Sequence, residues 1–233
     1  MRNEINCINC KNVNCFLKQY CSVEYLNKIS TNITQNLYRK GDHIFREGNL
    51  IFGIYFIHEG SVKIIAANVN GREQIVRLAN DGDIVGFRGL GSDKYYFNAV
   101  AMKDTSICFI ETRVFQDTCK SNPDFAYNLL LFFAYSLRRT ELLVKYQAIM
   151  NIREKVAEAF IYIYEKFGFN PQTKELNVEL SRQDIGDIAG TTAEQVTRQL
   201  RDFEDQKLIF RKKRTIQLLN IKGLEYIVSN YKI

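Results

Sequence analysis

The chain has 233 residues, of which 46% are hydrophobic and 25% charged. That length makes one or two domains, and the composition supports a buried core and excludes a disordered tail. The net charge of +6 is compatible with a nucleic-acid partner without requiring one. Residues 151–233 carry 14 basic and 12 acidic side chains, so a DNA partner has to be argued from local pattern. The longest apolar run, Leu129 to Tyr135, falls far short of the ~20 residues of a membrane helix. Met1 to Cys10 is polar and lacks a signal-peptide core. No membrane partner is expected, and the expected compartment is the cytoplasm.

Residues 1–22 form a cysteine-rich lead-in. Cys7, Cys10, Cys15 and Cys21 fall within fifteen residues, and Cys108 and Cys119 follow far downstream. In a reducing compartment such a cluster reads as metal or cluster ligation before it reads as disulfides. A thiol–disulfide switch, or no site at all, are the alternatives. The irregular spacing predicts a loop. The two histidines, His43 and His58, lie near no other ligand type in sequence, which leaves a two-cysteine, two-histidine finger unsupported.

Leu26, Ile29 and Ile33 predict a short helix over 23–36. From Leu37 to Glu111 the texture changes. Short β-branched and aromatic runs at 43–46, 53–58, 61–67, 73–79, 84–86, 95–101 and 106–110 alternate with turns at Gly41, Gly48, Gly60, Gly71 and Gly82. This rhythm predicts an all-β barrel or sandwich. Cys119 reads as a small apolar residue in a helical turn.

After Pro123, residues 124–149 contain no Gly or Pro and predict one long helix. Leu129, Phe133, Leu137, Thr140, Val144 and Gln147 recur at steps of four and three, a coiled-coil-like seam. Leu130, Leu131, Phe132, Leu142 and Leu143 add a second apolar surface. Two such faces predict packing on the barrel and homodimerisation through Phe133, Leu137 and Val144. Residues 152–168 predict a further amphipathic helix, broken by Gly168 and Pro171, with a short strand at 176–178.

Residues 180–209 carry two short helices joined by a glycine turn. Ser181 caps the first, over 182–189, with Asp184 three residues on, and Gly190 makes the turn. Thr192 caps the second, with Gln195 in a capping-box position. Val196, Leu200 and Phe203 form its apolar face, opposite Glu194, Gln195, Thr197, Arg198 and Arg201. This is the pattern of a helix-turn-helix. Two β-like runs, 209–213 and 215–219, follow as a wing. Its Arg211, Lys212, Lys213 and Arg214 are expected to meet phosphate. Arg198 suits a guanine edge and Glu194 a cytosine amine. No P-loop, H-E-x-x-H or G-x-S-x-G motif is present, so an enzyme is not expected.

A glycine-punctuated roll, a long helix and a C-terminal winged helix-turn-helix together resemble the CRP/FNR family of bacterial transcription regulators. The resemblance runs through YRKGDHIFREGNLIFGIYFIHEGSVKI at 38–64 and LSRQDIGDIAGTTAEQVTRQL at 180–200. It implies an α+β fold. Residues 1–22 are the cysteine-rich lead-in and 23–120 a cyclic-nucleotide-binding-type β-roll. A dimerisation helix at 121–150 and a winged helix-turn-helix at 151–233 complete it. It implies a homodimer on palindromic double-stranded DNA, and contact with RNA polymerase if the protein is an activator. Glu194-Gln195-Val196-Thr197-Arg198 is similar to the E-x-x-S-R of the FNR branch, implying TTGAT-like half-sites.

Where the cyclic-AMP-binding branch has a Glu after G-D-x-x-G, this chain has Phe87, and Phe97 and Asn98 stand near its Arg-Ser pair. No cyclic AMP is therefore expected, since a buried phosphate without a cation is costly. Arg88 nearby leaves room for a small anionic effector as the alternative input. GDIVGFRGLGS at 82–92 and SICFI at 106–110 also resemble the FNR branch, which implies that Cys108 is a cluster ligand. The spacing is C-x2-C-x4-C-x5-C, and its last interval matches that branch. Cys7, Cys10, Cys15, Cys21 and Cys108 are thus candidate ligands of a [4Fe–4S] cluster, with oxygen or redox state as the signal. Zinc is the alternative, held by the four N-terminal thiolates with Cys108 left out.

Overall fold

The computed structural model describes residues 6–67, 73–212 and 215–231. Lys213 and Arg214, expected in the wing, lie outside the described residues. The chain divides into two compact units. One comprises residues 1–72 and 76–135, the other 73–75 and 136–233. No helix among the described residues is long and apolar enough to cross a membrane.

The first unit begins with two short helices, α1 (Phe16–Tyr20) and α2 (Val23–Ser30). Ser22 caps α2 by accepting the amide of Tyr25. The helix expected over 23–36 is therefore half as long, and Ile33 opens a strand instead. The cause is non-local. β1 (Ile33–Tyr38) pairs residue for residue with β8 (Thr105–Glu111), from Ile33 opposite Ile110 to Tyr38 opposite Thr105. A fully paired strand outweighs a helical spacing of two isoleucines.

The remaining strands are β2 (His43–Phe45), β3 (Gly53–Glu59), β4 (Ser61–Ala67), β5 (Glu73–Asn80), β6 (Ile84–Val85) and β7 (Asn98–Ala101). They form two four-stranded sheets, ordered β1-β8-β3-β6 and β2-β7-β4-β5. The expected β runs thus appear, with β1 added. Between β6 and β7 a single 3-10 turn holds Phe87–Gly89. Two apolar cores result. Ile57, Ile64, Val85, Ala99 and Ile107 fill the roll. Leu17, Ile29, Ile54, Phe56, Phe115 and Phe125 fill a second core that joins the lead-in to the sheet.

α3 (Thr112–Ser121) precedes α4 (Pro123–Gln147), the long helix. Proline at the first helical position loses no hydrogen bond, since that amide has no intrahelical partner. In the second unit α5 (Ile152–Phe167) starts with a capping box between Asn151 and Glu154. α6 (Arg182–Ala189), α7 (Ala193–Asp205), the hairpin β9 (Ile209–Lys212) with β10 (Thr215–Leu218), and α8 (Ile221–Ile227) complete it. The strand expected at 176–178 is reduced to isolated bridges, Phe169 with Leu176 and Glu175 with Gln217.

Candidate metal centre and nucleic-acid interface

The lead-in is not the structureless loop its cysteine spacing suggests. Cys15 begins α1 and Cys21 ends it. The segment is fastened to the roll by polar contacts. Asn12 Nδ2 donates to the carbonyls of Ile57 at 3.2 Å and His58 at 2.7 Å. The Phe16 amide donates to the Gly82 carbonyl at 3.1 Å, and the Cys7 amide to Ser30 Oγ at 3.0 Å. Gly82, at φ +89°, lies so close beneath that a Cβ there would overlap the carbonyl of Asn14.

Between lead-in and sheet lies a cavity of about 180 Å³. Cys7, Cys10, Cys15 and Cys108 all line it, with Phe56, Gln35, Lys18 and His58. The strand register explains how Cys108 arrives there. On β8 it stands opposite Gln35 of β1 and Phe56 of β3, so the three share one sheet face. Cys21 is buried but does not line the cavity, and its thiol interacts with Cys15, Cys119 and Cys7. Cys119 is half-buried against the same core.

All six cysteines are free. Burial pushes the Cys108 thiol up to about 12, with the Cys15, Cys7 and Cys10 thiols adding to the rise. Burial likewise raises Cys7, against the Ser30 hydrogen bond, and Cys15, against the amides of Lys18 and Leu17. Cys21 is pushed to about 12 by burial and then by Cys15. At neutral pH these groups are thiols. Converging thiolates would repel one another unless a cation neutralised them.

Among the described residues no three His, Cys, Asp or Glu side chains are disposed to hold one metal ion. A single zinc needs thiolate sulfurs about 2.3 Å from one point. Cys7, Cys10, Cys15 and Cys108 line one cavity, and iron–sulfur clusters take thiolates in fours.

The roll interior is filled by its own rings. Phe45 stacks on Tyr95 with centroids 4.0 Å apart, and on Tyr55 at 5.5 Å. Tyr95 Oη donates to the Gly53 carbonyl at 2.9 Å. The space left beside Arg77, Phe87, Arg88 and Phe97 is about 20 Å³, room for about one water. Arg88 lies over the Phe97 ring at 5.6 Å, and Asn98 Oδ1 accepts the Glu47 amide.

On α4, Phe125 and Leu129 are buried, and Phe132 meets Phe16 and Phe87 one turn on. Phe133 stacks on Phe87 at 5.2 Å, so this residue of the expected seam faces the core that joins the lead-in to the sheet. Leu137 and Val144 are exposed, by 61% and 71%. With Tyr127, Leu130 and Ala134 they make a stripe at steps of three and four, interrupted by Glu141.

In the second unit, Ser181 and Asp184 form the expected capping box on α6. Gly190, at φ +68°, turns the chain. Gly186 lets α7 begin close by, since a Cβ there would stand 2.9 Å from the Thr191 carbonyl oxygen. Thr192 caps α7 by accepting the Gln195 amide. The Gln195 side chain does not close a box but pairs with the Thr191 hydroxyl. Val196, Leu200 and Phe203 are buried. Glu194, Arg198 and Arg201 are exposed, and Gln195 and Thr197 half-exposed. Arg198 donates to Glu194 Oε1 at 2.6 Å, one turn apart. Thr197 Oγ1 donates to the Ala193 carbonyl at 2.8 Å.

Lys212 is exposed at the end of β9. Arg211, expected in the phosphate-contacting cluster, is instead paired with Glu204, whose carboxylate also accepts the Arg211 amide. That contact ties the hairpin to the end of α7. It holds the Glu204 carboxyl below its usual range, chiefly through the Arg211 hydrogen bond.

Residues 35–122 match the cyclic nucleotide-binding domain, and residues 154–227 the Crp-like helix-turn-helix domain. The chain is 26% identical over 226 residues to the fumarate and nitrate reduction regulatory protein of Salmonella typhimurium, covering 93% of this chain and 89% of that one. The Escherichia coli K12 protein of the same name is 25% identical over the same span. Among solved structures, FixK2 from Bradyrhizobium japonicum superposes with a TM-score of 0.75 at 25% identity, over 84% of this chain and 96% of that one. The c-di-GMP responsive regulator CLP from Xanthomonas campestris shares the fold, with a TM-score of 0.72 at 19% identity over 84% and 99% of the two chains.

Proposed function

The chain belongs to the CRP/FNR family of DNA-binding transcription regulators, and we propose that it acts in the cytoplasm as an oxygen-responsive homodimer whose sensor is the cysteine cavity. Its matched relatives are regulators, not enzymes. The observation that carries the reading is the convergence of four thiols, three from the lead-in and one from β8, on one cavity. Cys7, Cys10, Cys15 and Cys108 would hold a [4Fe–4S] cluster, with Cys21 outside the set. The cluster, when bound, supplies a redox-active centre that oxygen can attack. The chain's own part is mechanical. Asn12, Ser30 and the Gly82 carbonyl hold the lead-in on the roll, so the state of the thiols decides whether that docking persists.

Two copies would pair through the exposed α4 stripe around Leu137 and Val144. Each α7 then offers Glu194, Thr197 and Arg198 to one half-site of a TTGAT-like palindrome, with half-sites about one helical turn apart. Gln195 and Thr192 steady the start of α7 beside them, while Arg201, Lys212 and Lys213 supply phosphate contacts. RNA polymerase is the further partner if the protein activates. The stacked rings inside the roll support an input other than a cyclic nucleotide.

The test is anaerobic purification followed by iron, sulfide and zinc analysis. The expected protein is brown, contains iron and sulfide, and loses colour and site-specific DNA binding together in air. Cys108→Ala abolishes both and Cys119→Ala neither. Colourless protein with one zinc per chain and a silent Cys108→Ala refutes the sensor.

A further inference from the structure

The cysteine cavity has one wall that its thiols do not explain. β3 places Phe56 opposite Cys108, and His58 follows two residues on, where the register of β3 against β8 shifts between Ile57 and Glu59. His58 lines the cavity with the four thiols. Its Nδ1 is sealed from solvent and has no hydrogen-bond partner among the described residues. Its carbonyl accepts from Asn12, so the residue sits at the contact that fastens the lead-in.

A buried ring nitrogen left unpaired is costly, and native interiors hold few of them. The neighbouring lining residues have their donors engaged. Asn12 donates to Ile57 and His58 carbonyls, Lys18 to the Cys10 carbonyl at 2.5 Å, and Gln35 to Ser106 Oγ at 2.6 Å. His58 is the lining side chain whose sealed nitrogen still lacks a partner. Four cysteine residues share the lining with it, and a thiolate or sulfide sulfur accepts hydrogen bonds.

Resting on the reading that the four thiols hold an iron–sulfur cluster, we propose that His58 donates a hydrogen bond from Nδ1 to a sulfur of that centre. His58 is a positioning residue outside the ligand set, because four thiolates already complete the set. Its effect is electrostatic. A hydrogen bond to sulfur stabilises the more negative, reduced state and so raises the reduction potential. His58 would therefore set how readily oxygen destroys the centre.

The experiment uses the full chain, reconstituted anaerobically with ferrous iron and sulfide, as wild type, His58→Leu and His58→Gln. Iron and sulfide content reports the centre itself. A redox titration of its visible absorbance, and the rate of bleaching in air, report the hydrogen bond. All three proteins are expected to bind iron and sulfide alike. His58→Leu should shift to lower potential and bleach several-fold faster, while His58→Gln, which keeps an N–H donor, stays with wild type. His58→Leu at the wild-type potential overturns the assignment. So does a folded His58→Leu that holds no iron, because His58 would then be a ligand. Wild type that takes up neither iron nor sulfide overturns the cluster reading itself, and the His58 bond with it.

Discussion

Gly82→Ala isolates the docking of the lead-in, because the structure supplies its own control. Gly82 and Gly41 have nearly the same backbone, φ +89° and +92°. Alanine in the left-handed region costs about 1–2 kcal/mol at either site. Around Gly41 a new Cβ meets nothing within 4 Å, whereas at Gly82 it would overlap the Asn14 carbonyl and fall 2.9 Å from the Asn14 Cβ. Asn14 cannot step back freely, because the Phe16 amide two residues on is bonded to the Gly82 carbonyl. Overlap of this kind costs about 1–3 kcal/mol more.

Gly41→Ala should therefore lose about 1–2 kcal/mol and Gly82→Ala about 2–5, or else the lead-in lifts off. Urea unfolding reads the first outcome. The rate of thiol labelling in metal-free protein reads the second, since Cys7, Cys21 and Cys108 are each only 9% exposed. Labelling should be fast in Gly82→Ala alone. Equal stabilities and equal labelling rates in the two variants would refute the claim that the lead-in is seated on Gly82.

Arg198→Ala should cost about 1–3 kcal/mol on the specific site and relax one base pair per half-site. Lys212→Ala should weaken binding to all sequences and flatten the salt dependence, both read by fluorescence anisotropy at several ionic strengths. Leu137→Glu places a charge in the exposed stripe and should give monomers in sedimentation; an intact dimer would put the interface elsewhere. Burial pushes the Glu158 carboxyl up to about 7, against the pull of Arg139 at 3.6 Å. A group raised above its unfolded value of 4.5 stabilises the fold below that value and loses the effect as pH rises through 7. Glu158→Gln should therefore gain on wild type between pH 5 and 8, by up to about 3 kcal/mol in denaturant unfolding, and parallel pH profiles would contradict this.

Local signals carried much of the second unit. The caps at Ser181 and Thr192 and the glycine at 190 act within four residues of themselves, and α6 and α7 appear where those residues point. Non-local pairing was invisible by comparison. β1 looks helical until β8 is laid beside it. Helical spacing marked two apolar faces on α4 but could not say that Phe133 turns inward while Leu130 stays out. His58 is distant from every cysteine in sequence, and only the folded cavity brings it beside Cys108. Arg211 read as one more basic group in a run of four, and its carboxylate partner sits seven residues back on α7.

The stacked rings of Phe45, Tyr55 and Tyr95 have a consequence for how such a roll can change over generations. A roll already plugged by its own side chains has nothing to gain from a visiting metabolite, because any guest must first evict an aromatic. One substitution reverses that. Tyr95→Ala would empty a ring-sized hole in the middle of a folded scaffold, and apolar holes of that kind stay dry and admit benzene-like guests. The plug is thus both a lock against adventitious signals and the single bolt whose removal would let a new chemical vocabulary in.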